Sequence, residues 1–386
     1  MRRLKVLFIT EWYPVREQPV KGIFVREHAR AVVRHHDVVV LHCAGKEPLL
    51  DAMWRMEQET DPDLTAGLPT YRLWRRSGPV PGISSAAYLQ GVIGAYRRLA
   101  NGGFRPDILH ANIYESGVPA VLIGRQTGAP VVVTEHASDF VRRRLPPWQV
   151  QKARFVFSRA ARVLPVSRTL RDAIERYGIR ARFTVVPNVV DTETFSPPEA
   201  RGPDDGVHRL LAVGSLVPVK GFDYLLRALA LLRADRDDWR LTIAGEGPGR
   251  EALVALAGEL GLTDRVTLLG HRSKEEVADL MRKSDLFVLS SLVETFSTAA
   301  AEALACSLPV LATRCGGPEE YLTPELGHLV AVGDAQALRD GLAEVLGRLD
   351  GFSRPALAAF ARSRFSQEQV AQQIDSVYEE CLSARI

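Results

Sequence analysis

LFVLSSLVETFSTAAAEALACSLPVLATR, residues 286–314, holds two short apolar runs on either side of a segment rich in Ala, Glu and Leu. Runs as short and apolar as LFVLSS and PVLATR read as parallel strands buried on both faces, and the segment between them as a crossover helix. Leu292–Glu294 then form a loop at a strand end, Thr295, Phe296 and Ser297 lie at the helix N-terminus, and Thr298 opens the helix. Free backbone N–H groups and the helix dipole make such a tip an anion site, worth roughly 0.3–1 kcal/mol to a phosphate from the dipole alone. Glu294 precedes the tip and Glu302 sits about one turn inside the helix. A carboxylate can accept two hydroxyl hydrogen bonds from a vicinal diol. The two acids therefore fit one ligand with nucleoside, diphosphate and sugar in a row. The spacing alone suits a capped helix with an ordinary surface glutamate equally well.

The same alternation runs along the 386-residue chain. KVLFIT, DVVVLH, DILHA, PVVVTE, RVLPVS and FTVVP read as strands in the first half. RLLAVG, RLTIAG, RVTLLG, LFVLSS, PVLATR and GHLVA do so in the second. Helix-like segments between them predict an α/β protein built from doubly wound sheets. The pattern restarts near residue 208, after a stretch rich in Pro, Gly and Asp that reads as a linker. Two Rossmann-like domains facing an interdomain cleft follow, residues 1–190 and 191–366. The terminal helix-like segment 367–386 packs on either one.

Composition excludes several classes. Hydrophobic residues make up 46% and charged residues 25%, as in soluble globular proteins. No apolar run is long enough to span a bilayer. The opening MRRLKVLFITEWYP has too short an apolar core for a signal peptide and reads as a buried strand. Cys43, Cys306, Cys315 and Cys381 lack metal or disulfide spacing and suit a reducing cytosol. Residues 1–198 carry 29 Lys and Arg against 18 Asp and Glu, a net +11, whereas residues 199–386 carry −8. The basic half suits an anionic substrate or membrane, and no nucleic-acid-binding motif accompanies it. Residues 141–163, with Trp148, Phe155 and Phe157 among basic residues, are the candidate for membrane contact.

Other turns carry candidate chemistry. GSLVPVKG places Lys220 and Gly221 in a strand-to-helix loop, where the lysine can reach a phosphate. In AGEGPGREAL, Gly245 and Gly247 bracket a turn, but Arg250 occupies the third glycine of a dinucleotide fingerprint, which disfavours a dehydrogenase. Gly22 precedes a helix in VKGIFVREHARAV, and TEHASDF offers Glu135, His136 and Asp139 at a strand end. His28, His35 and His36 read as helix-surface or helix-end residues. Asp61–Asp63 and Asp235–Asp237 lack the strand-end context of a metal–diphosphate site. No metal and no cofactor are expected.

Together these residues resemble glycosyltransferase family 4, the retaining enzymes of GT-B fold. ETFSTAAAEALACSLPVLAT is similar to that family's paired-glutamate signature, LVPVKG to its phosphate loop, GEGP to its glycine turn and VPNVVDTETF to its interdomain stretch. YP…VKGIFVREHARAV is most similar to polysaccharide-assembly members of the teichuronic-acid type. The resemblance implies a UDP- or GDP-linked sugar donor and an acceptor that is a glycan, a lipid-linked sugar or a small molecule. It implies that Lys220 binds the leaving diphosphate, Glu302 the ribose diol and Glu294 the donor sugar. Phosphate would meet backbone N–H groups at Thr295–Thr298, His136 would lie beside the transferred sugar, Gly22 would face the diphosphate, and His271–Arg272 would meet the base. Ser215 stands where the family has an arginine, Ser297 where it has glycine, and Lys21 replaces a glycine of the first loop. The expected activity is metal-independent transfer with retention, in the cytoplasm or peripherally at the inner face of the plasma membrane. A sugar-nucleotide epimerase and a non-catalytic sugar-nucleotide-binding subunit are the alternatives.

Overall fold

The computed structural model describes residues 2–47, 51–77, 83–200 and 205–384. The chain divides into two compact units, Met1–Val189 with Gln367–Ile386, and Val190–Ser366. Part of the linker stretch, residues 201–204, lies outside the described residues.

The first unit is built on β1 (Lys5–Thr10), β2 (Asp37–Glu47), β3 (Trp54–Glu59), β4 (Thr70–Arg76), β5 (Ile108–Asn112), β6 (Val131–Glu135) and β7 (Arg162–Pro165). They form one sheet in the order β3-β4-β2-β1-β5-β6-β7. All neighbours are parallel except β3 and β4. Helices cover the central strands, so apart from Lys5 their residues are buried and mostly apolar, with polar residues gathered toward the carboxyl ends. FTVVP is not a strand. It contributes a single bridge, Phe183 to Val163, and of its residues only Val186 is buried, the others being half-buried.

The C-terminal helix Gln367–Ser383 packs on helix Ile23–Val33 of this unit. Val370, Ile374, Val377 and Tyr378 enter a core with Val6, Phe8, Val25, Val32 and Val40. Polar anchors fix the register of this contact. Asp375 pairs with His35 and lies 2.9 Å from His36 Nε2. Tyr378 Oη lies 2.5 Å from His110 Nδ1. His28 and His36 are buried rather than on the helix surface. His28 is held between the carbonyl oxygens of Phe24 and Pro187, at 2.9 and 3.2 Å.

The second unit holds β8 (His208–Val213), β9 (Trp239–Ala244), β10 (Val266–Gly270), β11 (Leu286–Leu289), β12 (Val310–Thr313) and β13 (Gly327–Val330). They form a wholly parallel sheet in the order β10-β9-β8-β11-β12-β13. Leu210, Ala212, Leu241, Ile243, Leu286 and Val288 pack under helices Phe222–Leu232 and Ala335–Gly347, around a fully buried Trp239. Strand order reverses between β8 and β11, and in such sheets the crevice at the reversal, at the carboxyl ends of the strands, is where ligands bind.

Candidate active site

The loops after β8 and β11 meet at that reversal. Leaving β8, the chain turns through Pro218–Lys220 and enters helix Phe222–Leu232 at Gly221. Leu292 N–H donates to Val219 O at 2.8 Å, and Ser290 Oγ donates to Lys220 O at 2.9 Å. These bonds bring together two side chains 74 residues apart. Lys220 Nζ donates to Glu294 Oε1 at 2.7 Å, and Ser291 Oγ donates to the same oxygen at 2.7 Å. The lysine side chain keeps 25% exposure and the glutamate 12%. An ammonium has three donors, so two remain for other acceptors.

A third loop locks Glu294 in place. Its N–H donates to Cys315 O at 2.8 Å, and its carbonyl accepts from Gly317 N–H at 3.0 Å. Gly317 allows this approach, since a Cβ there would lie 2.5 Å from Phe296 Cα. Burial, with Glu294 the next contributor, pushes the Cys315 thiol up to about 12, so it stays a neutral filler.

Helix Thr298–Ala305 begins directly beyond. The Phe296 ring is buried against Tyr321 and Phe365, and Tyr321 Oη donates to the Phe296 and Ser297 carbonyls at 3.3 and 3.2 Å. The first turn is thereby anchored from behind, with Thr295 and Thr298 part-exposed. Glu302 follows on the helix, also part-exposed. Ser297 has φ +68°, in the left-handed region, and makes no side-chain cap bond. Relief of about 1–2 kcal/mol of left-handed strain, less about 0.5–1 kcal/mol of glycine backbone entropy, gives a net gain for Ser297→Gly. This variant should melt slightly above the parent, and calorimetry reads the difference.

Two further loops complete this edge of the sheet. Gly245, after β9, lies against the loop after β8, where a Cβ would sit 1.9 Å from Gly214 O. A Cβ on Gly247 would sit 2.7 Å from Leu216 O, and Gly249 N–H bonds that same oxygen at 2.8 Å. Ser215 is exposed on this surface. His271, exposed, and Arg272, part-exposed, follow β10, and Arg272 Nη1 donates to His271 O at 2.7 Å. Every candidate in this unit but Glu302, which is one turn into helix Thr298–Ala305, therefore lies beyond the carboxyl end of a strand or at the start of the helix that follows.

Gly22 and His136 belong to the first unit. Gly22 has φ +69° and heads helix Ile23–Val33, and a Cβ there would meet the Trp12 carbonyl carbon at 2.3 Å. His136 is buried beyond β6, its ring 4.4 Å from Phe24 and 5.4 Å from His28 between centroids. Burial, and then His28 and His110, hold it well below the usual imidazole range, so it is neutral. Glu135 anchors this corner by accepting N–H bonds from Tyr114, His136 and Ala137 at 3.0, 2.9 and 2.8 Å. Among the described residues no group of three or more His, Cys, Asp or Glu could hold a metal ion. No described helix is long and apolar enough to cross a membrane.

Comparison with known proteins places this geometry. Residues 22–194 match the family model described as Glycosyltransferase Family 4, and residues 197–348 match Glycosyl transferases group 1. A D-inositol 3-phosphate glycosyltransferase of Salinispora tropica is 30% identical over 351 residues, covering 80% of this chain and 72% of that protein. The chain belongs to glycosyltransferase family 4. As a family 4 glycosyltransferase it also matches a D-inositol 3-phosphate glycosyltransferase of Pseudarthrobacter chlorophenolicus, 33% identical over 233 residues. That match spans 55% of this chain and 56% of the relative. The GT-B fold is shared with Anabaena HepE, solved in complex with UDP. The TM-score is 0.76 at 20% identity, covering 98% of this chain and 100% of HepE.

The residues that hold the site were less visible in the sequence than those that form it. Ser290 and Ser291 tie two loops and Glu294 together, and their only signal was a polar pair closing an apolar run.

Proposed function

We propose that this enzyme moves a sugar from a UDP- or GDP-linked donor to an acceptor hydroxyl, with retention and without a metal. The observation that carries the reading is the Lys220–Glu294 contact at the β8/β11 reversal, beside the helix tip at Ser297–Thr298. Lys220 and the positive end of the dipole of helix Thr298–Ala305 stabilise charge on the departing diphosphate, which is electrostatic catalysis. Glu294 accepts from a sugar hydroxyl and Glu302 from the ribose diol. His136 and Gly22 keep the roles that family resemblance implies. The C1–O bond to the diphosphate breaks, and the acceptor oxygen bonds C1 on the same face. The acceptor proton passes to the departing phosphate oxygen. UDP bound to HepE supports a nucleoside diphosphate as the ligand class.

Thermal unfolding with UDP, GDP and ADP tests this reading, because a ligand that binds only the folded state raises the melting temperature. One of the first two is expected to stabilise the protein, without added metal. No stabilisation by any of the three would remove the donor assignment. Donor turnover without acceptor, yielding an epimer, would replace transfer by epimerisation.

A second partner is favoured by the surface of helix Pro147–Phe157 in the first unit. Trp148 is 61% exposed, with Lys152 Nζ 5.2 Å from its ring centroid. Residues 140–161 include six Lys and Arg and no acid. We propose peripheral contact of this face with anionic membrane from the cytoplasmic side, at about 1 kcal/mol per basic residue near the surface. Flotation with phosphatidylserine liposomes should carry the protein at low salt and release it at high salt. Absence from the liposome fraction at both would reject membrane contact.

A further inference from the structure

We infer that His28 is a positioning residue for His136, acting by direct ring contact and through its grip on the Pro187–Asn188 segment. The inference rests on the transferase reading, which puts His136 beside the transferred sugar, and it names what keeps the ring there.

The backbone and the side chain of His136 are held by different means. Glu135 Oε1 accepts the N–H groups of His136 and Ala137 at 2.9 and 2.8 Å, so the backbone beyond β6 is fixed. The ring has no such anchor, since both of its nitrogens are buried without a hydrogen-bond partner. Such groups are uncommon in a folded protein and call for a reason. The ring packs instead on a platform made by two residues one turn apart on helix Ile23–Val33. Phe24 lies 4.4 Å from it between centroids, tilted by 41°, and His28 lies 5.4 Å away, edge-on at 65°. Asn188 stands beside the same ring.

His28 is itself clamped. It is fully buried, with Nδ1 2.9 Å from Phe24 O and Nε2 3.2 Å from Pro187 O. Burial holds it below the usual imidazole range, so it is neutral and has one proton for two carbonyls. Phe24 O, four residues back in the helix, already accepts the backbone N–H of His28. The proton therefore does most on Nε2, where it gives Pro187 O a donor. That contact joins residues 159 apart and steadies the carbonyl that precedes Asn188. A leucine would fill the same space without burying a polar group, so packing alone gives no reason for an imidazole here. One side chain thus sets the His136 slot twice, by its ring edge and by its hold on Pro187.

Three substitutions test this in the full chain. His28→Gln puts an amide N–H where ring Nε2 stands, His28→Asn puts one where Nδ1 stands, and His28→Leu fills the volume without a donor. Crystal structures of the variants read the His136 ring. It should stay against Phe24 in His28→Gln, whereas in His28→Asn and His28→Leu Pro187–Asn188 should withdraw and the ring should change rotamer. Release of UDP or GDP from UDP-glucose, UDP-N-acetylglucosamine and GDP-mannose reads the consequence. His28→Asn and His28→Leu should lower kcat by about 10²-fold, the cost of an ångström-scale misplacement, with KM for the donor nearly unchanged. His28→Gln should recover most of that loss, and stabilisation by UDP or GDP should be the same in all. A packing role alone predicts the reverse order, with leucine tolerated best. Without nucleotide release by the parent the transferase reading fails, and the crystal structures still decide whether His28 positions His136. Three outcomes overturn the inference. One is an unmoved His136 ring in both His28→Asn and His28→Leu. Another is His28→Gln no better than His28→Leu. The third is a leucine variant that does not fold, because a structural role would then suffice.

Discussion

Lys220→Ala lowers donor turnover by about 10²–10³-fold, the loss seen when one preorganised donor to a developing oxyanion is removed. The side chain sits in the right place for so large an effect. Its ammonium is partly withdrawn from water, one N–H is committed to Glu294, and the backbone on either side is tied to the loop after β11. A lysine fixed in this way needs no reorganisation when negative charge builds on the diphosphate. The same fixation separates catalysis from stability. Glu294 keeps Ser291 and its backbone ties to Cys315 and Gly317 after the lysine is removed, so the variant should fold. Steady-state kinetics at saturating donor reads the effect in kcat. Lys220→Arg offers charge but a planar fork in place of a point charge, and should recover only part of the rate. Near-parental kcat in the alanine variant would take Lys220 out of the mechanism.

How much of this was legible in the sequence follows from what each segment packs against. The second unit's six strands are short apolar runs because helices flank a parallel sheet, and all six could be read directly. In the first unit WRMEQE and TYRLWRR escaped notice. They form the antiparallel pair at the sheet edge, β3 alternates part-buried and exposed residues, and charges interrupt the apolar pattern of both. FTVVP misled for the opposite reason. Val186 packs in the core and the rest of the segment is half-buried, but it is not paired along its length.

The site shows the same division. Motif spacing pointed to Lys220, Glu294 and Glu302 separately and suggested that the two glutamates share a ligand. It could not show that Glu294 pairs with Lys220, because that contact depends on β8 and β11 being sheet neighbours. His28 resembled a surface histidine until helix Ile23–Val33 turned it toward Pro187.

Gly221→Ala should be damaging through geometry alone. The glycine has φ +62° and a Cβ there would lie 2.2 Å from Ser290 O, a backbone atom fixed at the end of β11. Left-handed backbone costs alanine about 1–2 kcal/mol, and overpacking against backbone adds about 1–3 kcal/mol. Together they lower stability by about 2–5 kcal/mol, or roughly 4–20 °C in melting temperature for a unit of this size. The variant has a second consequence that the lysine variant lacks. To accommodate the methyl group, the loop after β8 must move away from the loop after β11, and that motion separates Lys220 from Glu294. Loss of stability should therefore come with loss of stabilisation by UDP, whereas Lys220→Ala keeps the parental melting temperature. Melting curves of the three proteins with and without UDP make the comparison. If Gly221→Ala melts with the parent, the two loops are not in the close contact on which the donor site depends.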